Sequence, residues 1–412
     1  MHDTTALVRS TASDYTPADN PRFLKLHRRF PTVAYLRQHA RRHVPSFAFE
    51  YMDGGAAGDG GIARNWNAFD AIELVPRYGV TTALPPVDVE LFGRRYSAPI
   101  GIAPMGGPSI VFPGADQYLA AAAQRARVPY VLGLVGGMTV ERAAAIAPDV
   151  LWFQLYRCSR NEHAIGFDLL RRAQAAGVHV LVLTADVPVR TTRPREVVAG
   201  ITSPFRPDLR MLAAIVSSPA YLKSLWKHGQ PRFGNLKPYA GDAADVNDVA
   251  AFVRREMAGA FTWEEIGRYR ERWKGPFVVK GILHPADAER CALLGVDGII
   301  VSNHGGRQVE GLPAAVDVLP ATVRAVGGRA TVMVDSGIRS GLDVVRAVAL
   351  GADAGFAGKA FLWGLGALGA EGPLHVIDLM IDEMKAAFGQ IGAGRPAQAR
   401  SVTIRHPGAL EF

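Results

Sequence analysis

Eight consecutive residues, Val301-Ser302-Asn303-His304-Gly305-Gly306-Arg307-Gln308, bring a base and a cation to one place. An imidazole exchanges a proton near neutral pH, so His304 can act as a general base. The Arg307 guanidinium is a planar fork of donors that fits a carboxylate. Gly305 and Gly306 let the backbone approach a flat ligand closely. The bland alternative is a polar loop with one solvated histidine. The apolar run Ile299-Ile300-Val301 argues against it, because it reads as a buried strand that ends at this octet.

The surrounding chain supplies the elements needed to hold such a set. Short apolar strands are expected at Pro99–Ala103, Tyr130–Leu134, Leu151–Leu155, Val178–Thr184, Pro276–Lys280, Gly298–Ser302, Thr331–Asp335 and Ala354–Ala357. Alanine-rich helical runs lie between most of them: Gly114–Arg127, Val140–Ile146, Ile165–Ala176, Pro285–Leu294 and Gly341–Leu350. Eight strands alternating with helices read as a (β/α)8 TIM barrel. A doubly wound open sheet fits less well, since no G-x-G-x-x-G stands at the first strand–helix turn.

In such a barrel the chemistry gathers at the C-terminal ends of the strands. Polar or flexible residues stand at just those ends: Pro104-Met105-Gly106 after the first, Gln154 and Tyr156 on the third, Thr184 and Asp186 on the fourth, and Lys280 on the fifth. His304 follows the sixth, Asp335-Ser336-Gly337-Ile338-Arg339 the seventh, and Gly358-Lys359 the eighth. The last two groups suit a phosphate, which backbone N–H groups, a helix N-terminus and nearby cations neutralise.

Ser302-Asn303-His304-Gly305-Gly306-Arg307-Gln308 resembles the signature of the FMN-dependent 2-hydroxy-acid oxidase and dehydrogenase family, and the likeness extends from about Pro45 to about Leu365. The resemblance implies FMN as cofactor, a small (S)-2-hydroxy acid as substrate, a 2-keto acid as product, and quinone or oxygen as electron acceptor. It implies His304 as the base, with Asp186 behind it, and Tyr51 and Tyr156 bonding the substrate's carboxylate and hydroxyl. Arg307 and Arg193 resemble the pair that holds the carboxylate. Arg193 has the required spacing of seven from Asp186, but Arg190, Pro194 and Arg195 crowd this loop, so Arg195 is a possible substitute. Pro104, Met105, Gly106, Gly133, Gln154, Thr184, Lys280 and Ser302 fall where the family meets the flavin ring. Asp335, Gly337, Arg339, Gly358 and Lys359 fall at its ribityl and phosphate end. Many relatives have arginine at the Lys359 position, serine near Gly133, and in some cases glycine at Ser336. Gly106 stands where family oxidases usually have alanine and mandelate dehydrogenase has glycine, and with Val135 it suggests room for a larger acid. The resemblance also implies a homotetramer.

Other barrel enzymes fit the sequence less well. An IMP-dehydrogenase-like enzyme needs a nucleophilic cysteine on a rim loop, yet Cys291 falls in the helix before the sixth strand and Cys158 carries no sign of activation. A type 2 isopentenyl diphosphate isomerase is another FMN barrel. A non-catalytic flavin or anion-binding barrel is the alternative from another class, and the complete His304, Asp186 and Arg307 set argues against it.

Composition sets the remaining bounds. The chain has 412 residues, 49% hydrophobic and 20% charged, which suits one large barrel with a sizeable core. Two cysteines give no disulfide framework and point to a reducing, cytoplasmic setting. No apolar run reaches spanning length and no secretory signal is expected. The net charge is +8. Nine basic and two acidic residues between Val189 and Lys237 give a local excess of +7, so the charge is concentrated in the long connection between the fourth and fifth strands. Leu209, Leu212, Ala213 and Val216, then Leu222, Leu225 and Trp226, suit two amphipathic helices broken at Pro219. Residues 206–232 are therefore expected to form a lid or to lie peripherally on the cytoplasmic face of a membrane. No nucleic-acid partner is expected. The expected organisation is an N-terminal extension (1–30), loosely ordered; the barrel (31–385) with 189–275 as insertion; and a tail (386–412).

Overall fold

The computed structural model describes residues 15, 17, 20–79, 84–189, 191–201, 205–241, 245–257 and 259–412. Four helices precede the barrel: α1 (Pro21–His27), α2 (Val33–His43), α3 (Ser46–Asp53) and α4 (Gly60–Asp70). Helix α2 puts Val33, Leu36 and Ala40 on one buried face, and that face packs on the helix Lys359–Leu368. Helix α4 packs against the turn that carries His304.

Eight parallel strands close the barrel: β1 (Ile100–Ile102), β2 (Tyr130–Gly133), β3 (Leu151–Leu155), β4 (Val180–Thr184), β5 (Phe277–Ile282), β6 (Gly298–Val301), β7 (Thr331–Val334) and β8 (Ala354–Ala357). Each pairs with its sequence neighbours, and β8 pairs back onto β1. The strands are buried almost throughout, which explains their continuous runs of valine, isoleucine and leucine. Trp152, Tyr130, Phe153, Phe277 and Phe356 are the largest wholly buried side chains of the barrel strands. One irregularity bears on the site. The β5–β6 register shifts between Lys280 and Ile282, where Gly281 has φ +99°. The bulge bends β5 at its C-terminal end, next to the site.

The connection from β4 to β5 carries helices Pro194–Val198, Leu209–Val216, Pro219–His228, Lys237–Ala240, Val246–Glu256 and Trp263–Arg272. The second and third are the pair expected on either side of Pro219. Asp208 caps the first of that pair by accepting from Met211 N at 2.8 Å, and Pro219 opens the second. Arg190, one of the nine basic residues of this segment, lies outside the described residues.

Both chain ends differ from the expected boundaries. Tyr15 Oη donates to Asp378, and Arg22 pairs with the same carboxylate at 2.9 Å, so the described part of the extension is tied to the body. Residues 1–14, nearly half of that extension, lie outside the described residues. The helix Gly372–Gln390 runs through the expected break at 385 because its apolar face stays buried as far as Phe388. Beyond it, Thr403–Arg405 pairs antiparallel with Glu73–Val75.

Candidate active site

Strand β6 delivers its octet to the C-terminal rim of the barrel. His304 lies in the left-handed region (φ +60°), followed by Gly305 and Gly306 at φ +68° and +70°. Such a turn is costly for a non-glycine residue and must be held by its surroundings. Here His304 N donates to Ser302 Oγ at 3.0 Å, and Asn303 N and Gly305 N both donate to Ser336 Oγ, at 3.2 and 2.9 Å. The Asn303 and Asn65 amides bond each other twice, tying the turn to α4. The serine at 336 thus braces the His304 turn, although its own φ of +73° would suit glycine.

The brace aims the imidazole. His304 Nδ1 is 3.0 Å from Asp186 Oδ1, and Nε2 is 3.5 Å from Tyr156 Oη. Burial pushes the Asp186 carboxyl up, but His304 and Lys280 outweigh that and hold it below the usual range. Its second oxygen is buried without a hydrogen-bond partner among the described residues. Gly281 makes space for it, since a Cβ there would fall 2.5 Å from the Asp186 carboxyl carbon. Burial pushes the Tyr156 phenol up to about 12, so it stays protonated as a donor.

Beneath this face lies a buried polar layer. Lys280 Nζ donates to Ser302 Oγ at 2.7 Å and pairs with Asp335 at 3.0 Å. Burial disfavours its charge, but Asp335 and Asp186 outweigh that and keep it cationic. Gln154 Nε2 donates to Thr184 Oγ1 at 2.8 Å, and its carbonyl accepts from Leu134 N. At Gly133 a Cβ would meet the Met105 carbonyl at 2.7 Å. No serine fits there, so whatever this position offers a ligand comes from the backbone.

The end of the rim expected to meet a phosphate is less open than the sequence suggests. Arg339 pairs with Asp70 at 2.8 Å and lies over the Trp66 ring, while its N–H donates to Asp343. Gly337 packs against the Asn65 carbonyl at a φ of +115°, where only glycine is unstrained. Lys359, expected at the phosphate, already has partners within the chain. Its Nζ donates to the carbonyls of Met52, Asp53 and Gly54 at 3.0, 3.1 and 2.8 Å. Burial and the neighbouring Arg307 lower its pKa well below that of an ordinary lysine. Its charge is thus spent on the C-terminal end of α3. What this turn retains for an anion is the set of first N–H groups of the ten-residue helix Lys359–Leu368.

The two expected carboxylate-binding arginines do come together. Arg193 Nε donates to the Arg307 carbonyl at 3.1 Å. Arg307 lies over the Tyr51 ring and donates to the carbonyls of Tyr51 and Gly54. Tyr51 Oη donates to the Gly106 carbonyl at 2.5 Å. Arg195, the alternative to Arg193, is held by three carboxylates, Glu50, Asp53 and Asp59, at 2.5–3.2 Å. One residue escaped the sequence reading: Glu196 bridges both arginines. Its position three residues after Arg193, on the same helical face, was the available signal.

A family model described as FMN-dependent dehydrogenase matches residues 40–406. The chain belongs to this family. It is similar to the L-lactate dehydrogenase of Pectobacterium atrosepticum, 37% identical over 369 residues, or 89% of this chain and 95% of the relative. The L-lactate dehydrogenase of Stenotrophomonas maltophilia (strain R551-3) is 36% identical over 362 residues, or 88% and 95%. A crystal structure of (S)-mandelate dehydrogenase, described as a monotopic membrane protein, superposes with a TM-score of 0.85 at 31% identity, covering 91% of this chain and 99% of that one.

The protein is therefore an FMN-dependent 2-hydroxy-acid dehydrogenase or oxidase of the lactate dehydrogenase type. Its rim suits FMN. The buried Gln154–Thr184 pair and cationic Lys280 offer donors to a flat heterocycle. A Cβ at Gly358 would make only ordinary contacts, the nearest at 3.7 Å to Met105, so the backbone beside the helix N-terminus is not crowded. Neither cysteine of this dehydrogenase is a nucleophile by its surroundings. Both are buried, and burial pushes both thiols up to about 12.

Proposed function

We propose that the protein oxidises an (S)-2-hydroxy acid to the 2-keto acid, with His304 as the base. The observation that carries this is the Asp186–His304–Tyr156 line. Asp186 accepts from Nδ1–H, which leaves Nε2 as the basic nitrogen, on the side where Tyr156 stands. Arg307 and Arg193 hold the substrate carboxylate, and Tyr51 and Tyr156 orient its carboxylate and hydroxyl. His304 Nε2 takes a proton from the substrate, and Asp186 stabilises the resulting imidazolium. FMN, when bound, accepts the two electrons released. Gln154, Thr184 and Lys280 would hold its ring, with Lys280 supplying fixed positive charge. Arg339 and the N-terminus of Lys359–Leu368 would hold its phosphate.

We also propose a quinone-linked, membrane-peripheral enzyme over a soluble oxidase that makes hydrogen peroxide. Leu209, Val216 and Trp226 are 84%, 67% and 89% exposed on the two helices flanking Pro219, within the basic connection. No described helix is long and apolar enough to cross a membrane, so the contact would be superficial. A homotetramer rests on the family resemblance alone.

The deciding experiment is anaerobic mixing of the FMN-loaded protein with glycolate, L-lactate, L-mandelate and a long-chain L-2-hydroxy acid. Bleaching of the flavin absorbance by at least one is expected. No bleaching by any of them, in protein that holds FMN, overturns the reading.

A further inference from the structure

Two guanidiniums stand side by side where the substrate carboxylate would be bound. Such a pair repels, and burial together with Arg193 lowers the Arg307 pKa. One carboxylate lies between them: Glu196 Oε1 is 2.6 Å from Arg307 Nη2 and 3.3 Å from Arg193 Nη1. The other described bonds of the Arg307 guanidinium go from Nη1 to the Tyr51 and Gly54 carbonyls. The terminal nitrogens aimed at Glu196 are thus those a substrate carboxylate would use. Glu196 sits on the helix Pro194–Val198, which has no buried residue. Arg195 on the same helix is held by Glu50, Asp53 and Asp59, so the displacement falls on the Glu196 side chain and not on the helix.

We infer that Glu196 is a built-in stand-in for the substrate carboxylate. It holds Arg193 and Arg307 in register before substrate arrives, and an incoming 2-hydroxy carboxylate displaces it. Its carboxylate has the same charge and shape as the group it gives way to. Glu196 is a positioning residue, since it acts through the two arginines and touches no reacting atom. Substrate binding is then an exchange of one carboxylate for another, and part of the attraction of the two cations is already spent. This inference rests on the reading of Arg193 and Arg307 as the carboxylate clamp.

The test compares Glu196→Gln and Glu196→Asp with the native FMN-loaded protein. KM and kcat are measured with L-lactate, or with whichever acid of the panel bleaches the flavin. The Kd of the corresponding 2-keto acid is measured by calorimetry, as is that of the uncharged 2-hydroxy amide. Glu196→Gln is expected to lower KM and the keto-acid Kd by roughly 3–10-fold, the scale of a partly buried ion pair no longer competing. Any change in kcat is expected to be smaller, and the amide is expected to gain nothing. Glu196→Asp, with a shorter reach, is expected to fall between native and Gln, and it serves alone if the Gln variant does not fold. A rise in KM and Kd, no change in either, or an equal gain for the amide overturns the inference. Arg307→Lys in the same assays separates the two readings. If it leaves KM unaltered, the clamp itself is wrong. If it raises KM while Glu196→Gln changes nothing, only the stand-in role falls.

Discussion

Asp186 and His304 come from strand ends 118 residues apart, and their side chains meet at 3.0 Å through Nδ1. The carboxylate selects the imidazole tautomer, and the left-handed backbone at His304 fixes the ring's direction. Neither feature depends on the phosphate end of the site. His304→Ala is therefore expected to lose turnover by a factor on the order of 10²–10⁴ while keeping bound FMN. Steady-state kinetics beside the flavin absorbance of the purified variant check this. Near-native turnover would remove His304 from the mechanism.

The Asp186 carboxyl also ties stability to pH. Its folded pKa is held below the unfolded one, so it stabilises the fold above the unfolded carboxylate range. That contribution is lost as pH falls through the folded value. Asp186→Asn is expected to flatten the acid limb of a stability–pH curve measured by urea unfolding. An acid limb identical to the native one would show that other carboxylates govern it.

Gly106 and Val135 are packed as a pair. A Cβ at 106 would lie 2.8 Å from Val135 Cγ2, so the alanine common in family oxidases does not fit beside valine without a shift. Gly106→Ala is expected to cost about 1–3 kcal/mol from overpacking. It should also narrow the acid range, with L-mandelate losing more kcat/KM than L-lactate. Adding Val135→Ala should restore both losses, and a double variant no better than the single would show that the two positions are not coupled.

Much of this site was legible because its residues stand at the ends of short continuous apolar runs, which mark buried parallel strands. The eight strands fell within two residues of their expected bounds, and His304, Asp186, Lys280, Arg193 and Arg307 came together as the barrel topology requires. What sequence did not reveal was pairing. Lys359 has the right charge for a phosphate, but its side chain reaches back to the carbonyls of Met52, Asp53 and Gly54 at the C-terminal end of α3, 305–307 residues away. Arg195 reads as a free cation and is neutralised by three carboxylates, two of them, Glu50 and Asp53, on that same helix. Which partner a long side chain finds depends on how α3 docks across the rim, and periodicity carries no information about that.

Arg157 and Glu265 close the far end of the β4–β5 connection. The guanidinium bonds the carboxylate twice, at 2.9 and 2.7 Å, and His163 Nε2 and Thr262 N reach it as well. The Arg157 hydrogen bonds, assisted by Thr262 and His163, lower the Glu265 carboxyl to about 2 despite partial burial. This support is complete above the ordinary glutamate range and fades as pH falls towards about 2. Glu265→Gln is expected to lower the melting temperature at pH 7 and to make it less sensitive to acid. It should also speed protease cleavage within 189–275. An unchanged melting temperature and cleavage pattern would leave the cluster without a role in holding the connection.

The exposed apolar residues of that connection set the last prediction. Leu209 and Trp226 project from helices that also carry Arg210, Lys223 and Lys227. A lid packed on its own barrel would bury these side chains, whereas in this chain they stand clear of it. Apolar insertion and attraction to anionic headgroups add in such a segment. Leu209→Ser with Trp226→Ser is expected to abolish sedimentation with anionic liposomes while leaving turnover with a soluble electron acceptor close to native, since neither residue touches the rim. Lys223→Gln with Lys227→Gln should weaken binding in proportion to salt, as screening by added salt does for the native chain. Binding to neutral liposomes should be weaker from the start. If the native chain ignores anionic liposomes and turns over rapidly with oxygen, the exposed face belongs to another copy of the chain or another protein, and the enzyme is a soluble oxidase.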